Sequence, residues 1–206
     1  MIFHTYECIF FHTPKTAGSA IENMFMPNHE LDPYQSNNEQ LFGLDHEIGI
    51  FLQHATCKTT RALIDRNVYD AYFKFCVVRN PFARVLSVYS YQVEHHKREF
   101  GNFKGFVRAL PALATNQLYL RGSHYIPQIH YAYIDGVREV DAVGKFEELD
   151  RFVQELRERF GDHLTLPQIN FRHKPERKER VQDHYDEETS SIIREVYKDD
   201  FEFFGY

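Results

Sequence analysis

Residues 8–25, CIFFHTPKTAGSAIENMF, decide the fold. Cys8-Ile9-Phe10-Phe11 is a short unbroken apolar run, the pattern of a strand buried on both faces of a parallel sheet. A polar turn follows, and then Ser19 and Glu22 stand at capping-box spacing, with Ile21, Met24 and Phe25 as a helical stripe that Pro27 ends. The same unit recurs from Phe75. Phe75-Cys76-Val77-Val78 reads as a second buried strand, Asn80 as an N-cap and Pro81 as the first helical residue. Phe82, Val85, Leu86, Tyr89 and Val93 then mark one buried helix face. Two strand–loop–helix units imply a layered α/β fold, in which ligands bind outside the carboxyl ends of the parallel strands.

Outward from these units the signals weaken. Residues 28–53 are polar and irregular, and predict a loop with a short strand at Ile48 to Leu52. Phe103, Phe106, Val107 and Leu110 predict a helix stopped by Pro111; Leu149, Phe152, Val153, Leu156 and Phe160 predict another, closed by Gly161. Tyr131 to Ile134 and Val140 to Val143 flank Asp135-Gly136 and suggest a small β excursion. Ile192, Ile193, Val196 and Tyr197 indicate a last helix, whose exposed face would carry the acidic stretch from Asp183 to Glu202. Its aromatic end, Phe201, Phe203, Phe204 and Tyr206, is expected to pack back on the core.

The 206 residues suit one domain, 1–206, and 43% hydrophobic content suffices for a sizeable core. Twenty-four Lys and Arg against 30 Asp and Glu leave a net charge of −6, which disfavours a broad nucleic-acid-binding surface, so any anion site must be local. Cys8, Cys57 and Cys76 are odd in number and far apart, which argues against a disulfide framework and for a reducing compartment, the cytoplasm. No secretion signal or membrane span is encoded.

The chemistry concentrates in the two loops. His12 to Ser19 joins a strand to a helix start, where unpaired N–H groups and the positive dipole end favour an anion, and Lys15 adds a point charge. Here Lys15 precedes Gly18 by three positions, unlike the nucleoside triphosphate loop, in which Gly directly precedes Lys. Arg79 follows directly on the second strand and offers a planar fork for phosphate. Asn80, Arg84, Ser87 and Tyr91 share a helical spacing opposite the apolar stripe, so Ser87 is expected to face what Arg79 holds.

HTPKTAGSA resembles the 5′-phosphosulfate-binding loop of sulfotransferases, and VVRNPFARVLSVY resembles their 3′-phosphate-binding segment. The resemblance extends through QHATCKTTRALI, VDAVGKFEELDRF, and the tail from LPQINF to YKDDFEFFGY, so it covers most of the chain. It is nearest to the bacterial and carbohydrate type, distantly similar to the heparan 2-O-sulfotransferases. Ala17 departs from a Gly common in the loop, and RHKPERKERVQDHY departs from the tail pattern. The resemblance implies a three-layer α/β/α core with a central parallel sheet, shared with P-loop nucleotide kinases. It implies 3′-phosphoadenosine 5′-phosphosulfate as donor and no catalytic metal. Lys15, Thr16, Ala17, Gly18, Ser19 and Ala20 would meet the sulfate-bearing end, and Arg79 with Ser87 the 3′-phosphate. The acceptor would be a hydroxyl, on a saccharide or glycoconjugate.

A hydroxyl acceptor must lose a proton, and His is suited to taking it near neutral pH. His54, in QHAT, matches the position of the base in the resembling 2-O enzymes; Lys15 and His54 are thus the expected catalytic pair. His12 abuts the loop and is read as packing or capping it, while His95 and His96 are read as solvated. No His stands in a zinc-site spacing. Residues 172–180 hold five Lys or Arg and two Glu, a local charge of +3, and are read either as a cover for an anionic ligand or as a solvated loop. Two rival functions remain. One is a nucleotide or small-molecule kinase on a related scaffold, against which the position of Lys15 argues. The other is a non-catalytic module for a nucleotide or sulfated glycan, which would need Arg79 and Ser87 but not His54.

Overall fold

The computed structural model describes residues 1–115, 122–167 and 180–206. The tail residues Gln168 to Phe171, and Arg172 to Glu179 of the basic segment, lie outside the described residues. Strand β1 (Ile2–Phe3) precedes β2 (Cys8–Phe11), whose carboxyl end leads through the expected loop into α1 (Gly18–Phe25). A hairpin of β3 (Leu44–Asp45) and β4 (Ile50–Phe51) is followed by α2 (Cys57–Leu63), α3 (Arg66–Ala71) and β5 (Phe73–Val78). Next come α4 (Pro81–Tyr91), α5 (Val93–Phe100) and α6 (Phe103–Leu113). A second hairpin, β6 (Tyr133–Ile134) and β7 (Val137–Arg138), leads to β8 (Ala142–Lys145), α7 (Leu149–Phe160), α8 (Glu187–Val196) and α9 (Lys198–Phe204).

The main sheet has the order β1-β2-β5-β8, with β2, β5 and β8 parallel and β1 antiparallel at the edge. Side chains alternate across it, as the two-residue strand period requires. Ile9, Phe11, Cys76 and Val78 point to one face, against Cys57 of α2, Tyr69 of α3 and Phe204 of α9. Cys8, Phe10, Phe75 and Val77 point to the other, against Ile21, Met24 and Phe25 of α1 and Phe152, Val153 and Leu156 of α7. The result is a central, mostly parallel sheet flanked by helices on both faces. A third cluster joins Val85, Val88 and Tyr89 of α4 to Phe106, Val107 and Leu110 of α6 and Ile193 of α8. Cys8, Cys57 and Cys76 are free and buried. Among the described residues no helix is long and apolar enough to cross a membrane.

Several expectations are corrected. The capping box at Ser19 does not form: α1 starts two residues earlier, its N-cap is Ala17 in the left-handed region, and no side chain caps it. Glu22 instead turns inward to a stronger, charge-assisted bond with His12. Pro111 does not stop α6, because it lies on the exposed side, where one lost N–H is outweighed by burial of Phe106, Val107 and Leu110. The pieces around Asp135-Gly136 are not one excursion. Tyr133–Ile134 pairs with Val137–Arg138 across a tight turn with φ of 49° and 79°, whereas Ala142–Lys145 joins the main sheet beside β5. The last helix is two, α8 and α9, broken at Tyr197. Of the acidic stretch, Asp200 is fully buried; of the aromatic end, Phe204 packs inward while Phe203 stays exposed.

Candidate active site

The parallel strands all present their carboxyl ends to one edge, and three loops meet there. The loop after β2 takes positive φ at Lys15 and at Ala17, both 69°, on either side of Thr16, whose φ is not positive. This alternation turns successive N–H groups to one side, the geometry of an anion-binding nest. Neither residue is glycine, so each left-handed conformation costs about 1–2 kcal/mol, held in place by its surroundings. Thr16 ties the turn with a hydroxyl bond to the Thr13 carbonyl at 2.7 Å. No side chain caps α1, and the amides of Gly18 and Ser19 face the loop as an anion site; the Ala20 N–H, expected to join them, instead donates to the Ala17 carbonyl at 2.9 Å.

Beneath the loop lies a buried histidine–glutamate pair. His12 Nδ1 stands 2.6 Å from Glu22 Oε1, and both residues are buried. Burial pushes the Glu22 carboxyl up, but the charge of His12 and its hydrogen bond prevail and leave it below its ordinary value. The His12 ring presses on the loop: a Cβ at Gly18 would stand 1.8 Å from its Cδ2, so only glycine fits there.

His54 lies in a short 3-10 turn, Leu52–His54, ahead of α2, whose N-cap is Thr56. Its Nδ1 is 3.0 Å from the His12 carbonyl. A carbonyl only accepts, so Nδ1 carries the hydrogen and Nε2 of the neutral ring keeps the lone pair. The ring meets His12 edge-on, with centroids 4.4 Å apart, and His124 at 5.3 Å. Burial, followed by the positive charge of His12 and His124, lowers the His54 pKa well below 6.5. The sequence-based expectation of an ordinary histidine is thereby corrected: this imidazole stays neutral, hence a proton acceptor, into mildly acidic solution. Among the described residues these rings form no metal-ligand cluster.

His124 carried no readable signal, since it sits in an aperiodic stretch of the chain. Its ring stacks on Tyr91 at 6.1 Å and 6°, and Lys15 Nζ lies 3.8 Å from the centre of the Tyr91 ring. Lys15, Tyr91, His124, His54 and His12 thus form one continuous run of contacting side chains, from exposed Tyr91 to buried His12. Arg84, expected opposite the apolar stripe of its helix, is fully buried and donates to the carbonyls of His124 at 3.3 Å and Ile126 at 2.9 Å. It is a strut for the segment that leads from α6 to the β6–β7 hairpin, and its two terminal NH2 groups exchange water for carbonyls, while its Nε has no hydrogen-bond partner among the described residues. His96, expected to be solvated, is also buried, with Nδ1 2.9 Å from the Tyr89 carbonyl.

Arg79 leaves the end of β5 and reaches back to the first loop, where its Nη1 donates to the Lys15 carbonyl at 3.2 Å. Its guanidinium lies over Phe146, which follows β8, at 4.3 Å. Burial lowers its pKa, which the nearby Glu147 carboxylate opposes. Its Nε has no hydrogen-bond partner among the described residues. Ser87 lies two turns into α4, partly exposed. Asn80 caps α4 as expected, accepting from Phe82 and Ala83.

A family model described as "Sulfotransferase family" matches residues 1–206. An uncharacterized protein of Archaeoglobus fulgidus is 29% identical over 105 residues, which is 49% of this chain and 78% of that protein. No solved structure gives a significant match.

Proposed function

Because the chain belongs to the sulfotransferase family, we propose that it moves a sulfuryl group from 3′-phosphoadenosine 5′-phosphosulfate to a hydroxyl on a saccharide or glycoconjugate. The observation that carries the donor assignment is the bond from Arg79 to the Lys15 carbonyl at 3.2 Å, which joins the two anion-seeking loops at one sheet edge. One nucleotide with phosphate groups on both its 3′ and 5′ sides would satisfy both. Arg79, with Ser87, takes the 3′-phosphate; the amides of residues 16–19 and the Lys15 side chain take the sulfate-bearing 5′ end.

The chemistry follows from those placements. His54 Nε2 accepts the proton of the acceptor hydroxyl as the acceptor oxygen bonds to sulfur. The bond from sulfur to the bridging oxygen breaks on the opposite side, and its electron pair leaves with the 5′-phosphate of the bisphosphate product. Lys15 and the loop amides meet the charge that grows on that phosphate, so they act more strongly in the transition state than before it. The His12 carbonyl keeps the Nδ1 hydrogen of His54 in place and stabilises the imidazolium once formed. The test is transfer of radiolabelled sulfate from the donor to a panel of hydroxyl-bearing acceptors, oligosaccharides beside phenols and alkyl alcohols. Labelled saccharide supports the reading; label only on phenols redirects the acceptor; no transfer, together with phosphate transfer from ATP, replaces it with a kinase.

A further inference from the structure

Arg79 stands one residue beyond the β5–β8 ladder, which ends at the pair Val78 and Lys145. A peptide at that position has lost its strand neighbour, yet both its polar groups are satisfied. The Arg79 N–H donates to Gln128 Oε1 at 2.9 Å, and Gln128 Nε2 donates to the Arg79 carbonyl at 2.8 Å. One side-chain amide thus does what a neighbouring strand residue would do. Gln128 has no exposure, and it is gripped in turn by Asp200 of α9, which is fully buried as well. Asp200 Oδ2 accepts from the Gln128 backbone N–H at 3.0 Å and from Gln128 Nε2 at 3.2 Å, while Oδ1 accepts from Ile129 N–H at 2.8 Å.

Burying a carboxylate is costly, and a network of this kind fixes its members in one arrangement. What it fixes is the main chain of the residue that carries the guanidinium. We propose that Gln128, held by Asp200, is a positioning residue for the donor: it sets the backbone of Arg79 so that the guanidinium meets the 3′-phosphate, and it makes α9 part of the donor site. The inference rests on the reading that Arg79 binds that phosphate. Neither Gln128 nor Asp200 touches the nucleotide; their effect passes through Arg79, and losing a hydrogen bond between charged groups weakens binding about ten- to a hundredfold.

The experiment measures calorimetric affinity for 3′-phosphoadenosine 5′-phosphate and for adenosine 5′-phosphate, which lacks the 3′ group, in wild type, Gln128→Met, Arg79→Ala and the double variant. Met keeps the length of Gln and removes both bonds to Arg79. The expected result is that Gln128→Met weakens the bisphosphate about ten- to a hundredfold and the monophosphate far less. In the Arg79→Ala background the same change should have no further effect on the ratio, since two residues acting through one contact are not additive. A ratio that Arg79→Ala collapses but Gln128→Met leaves intact overturns the positioning role alone. A ratio untouched by Arg79→Ala overturns the assignment of Arg79 and this inference with it. Should Gln128→Met fail to fold, Gln128→Glu carries the same test. Glu keeps the size of the side chain and an acceptor for the Arg79 N–H, but it loses the NH2 that donates to the Arg79 carbonyl and to Asp200.

Discussion

His54 gives its Nδ1 hydrogen to the main-chain carbonyl of His12, 3.0 Å away, and His12 in turn holds Glu22 at 2.6 Å. The proposed base is thereby anchored to the residue on which the donor loop is built. A shift of that loop moves His54, so under the proposed function donor and acceptor chemistry share one support. His12, expected only to pack or cap, is the joint between them.

His54→Ala should lower turnover by about 10²- to 10⁴-fold, the range for loss of a general base, while affinity for 3′-phosphoadenosine 5′-phosphate stays within a few-fold. Single-turnover rates with the donor in excess, beside calorimetric titration, separate the two. An acceptor as acidic as a phenol should suffer less than an alkyl alcohol. If the variant keeps most of its activity with the alcohol, the base is elsewhere.

The depressed pKa of His54 moves its pH effects to the acid side. The rate should stay level from neutral pH down through about 6.5 and fall only below it, where the folded protein protonates the ring. Stability has the same sign. The unfolded chain takes this proton near pH 6.5 and the folded chain only lower, so the contribution of His54 is complete above that pH and is lost progressively as pH falls toward the folded value. Denaturant melts of wild type and His54→Gln between pH 5 and 8 should therefore converge on acidification. Parallel curves would show that the ring is not held neutral.

Glu22→Ala should destabilise the fold by about 1–3 kcal/mol at neutral pH, because it leaves the buried His12 ring without its acceptor. Glu22 titrates below its ordinary value, so its contribution is present above the ordinary carboxylate range and lost as pH falls from there through the lower folded value. The stability difference between wild type and Glu22→Ala should accordingly shrink in acid. Chemical denaturation at two pH values checks both the size and the sign.

Gly18→Ala adds one methyl where none fits, 1.8 Å from the His12 ring. The ring or the loop must give way, at about 1–3 kcal/mol. The same displacement should weaken donor binding and slow turnover together, since His12 supports both the loop and His54. A variant as stable and active as wild type would show that the ring moves freely.

3′-Phosphoadenosine 5′-phosphate should stabilise the protein by about 2.7 kcal/mol at a hundred times its dissociation constant, and ATP with magnesium much less. Arg79→Ala should reduce discrimination between that ligand and adenosine 5′-phosphosulfate by more than about 1.5 kcal/mol, the strength of a hydrogen bond to a charged group. Thermal shift and calorimetry give both numbers. A larger shift with ATP would favour the kinase.

The two strand–loop–helix units were legible because their signals are local. Cys8 to Phe11 and Phe75 to Val78 are apolar without alternation, and both faces of the resulting sheet are indeed covered. Asn80 and Pro81 sit where a helix start needs them. Ser19 carried an equally good local signal and failed, since Glu22 found a buried histidine ten residues back that a capping bond could not match. Pro111 failed similarly: three buried neighbours on one face outweigh one missing donor.

From the sequence alone came the layered α/β class, the placing of two loops at the carboxyl ends of parallel strands, and the naming of Lys15, Arg79 and Ser87 as candidates, whereas His54 entered through the family resemblance. Those features follow from runs of residues adjacent in the chain, whose preferences do not depend on a distant partner. Only the tertiary structure decided which polar residues are buried and what each one holds. Arg84, His96 and Asp200 look in sequence like any solvated side chain, yet each is buried against groups 7 to 72 residues away. The convergence of His124 on His54, the neutral state of that imidazole and the grip of Gln128 on Arg79 belong to the same class. Burial makes a polar group depend wholly on its partners, and partners far apart in the chain are chosen by the packing of the whole fold.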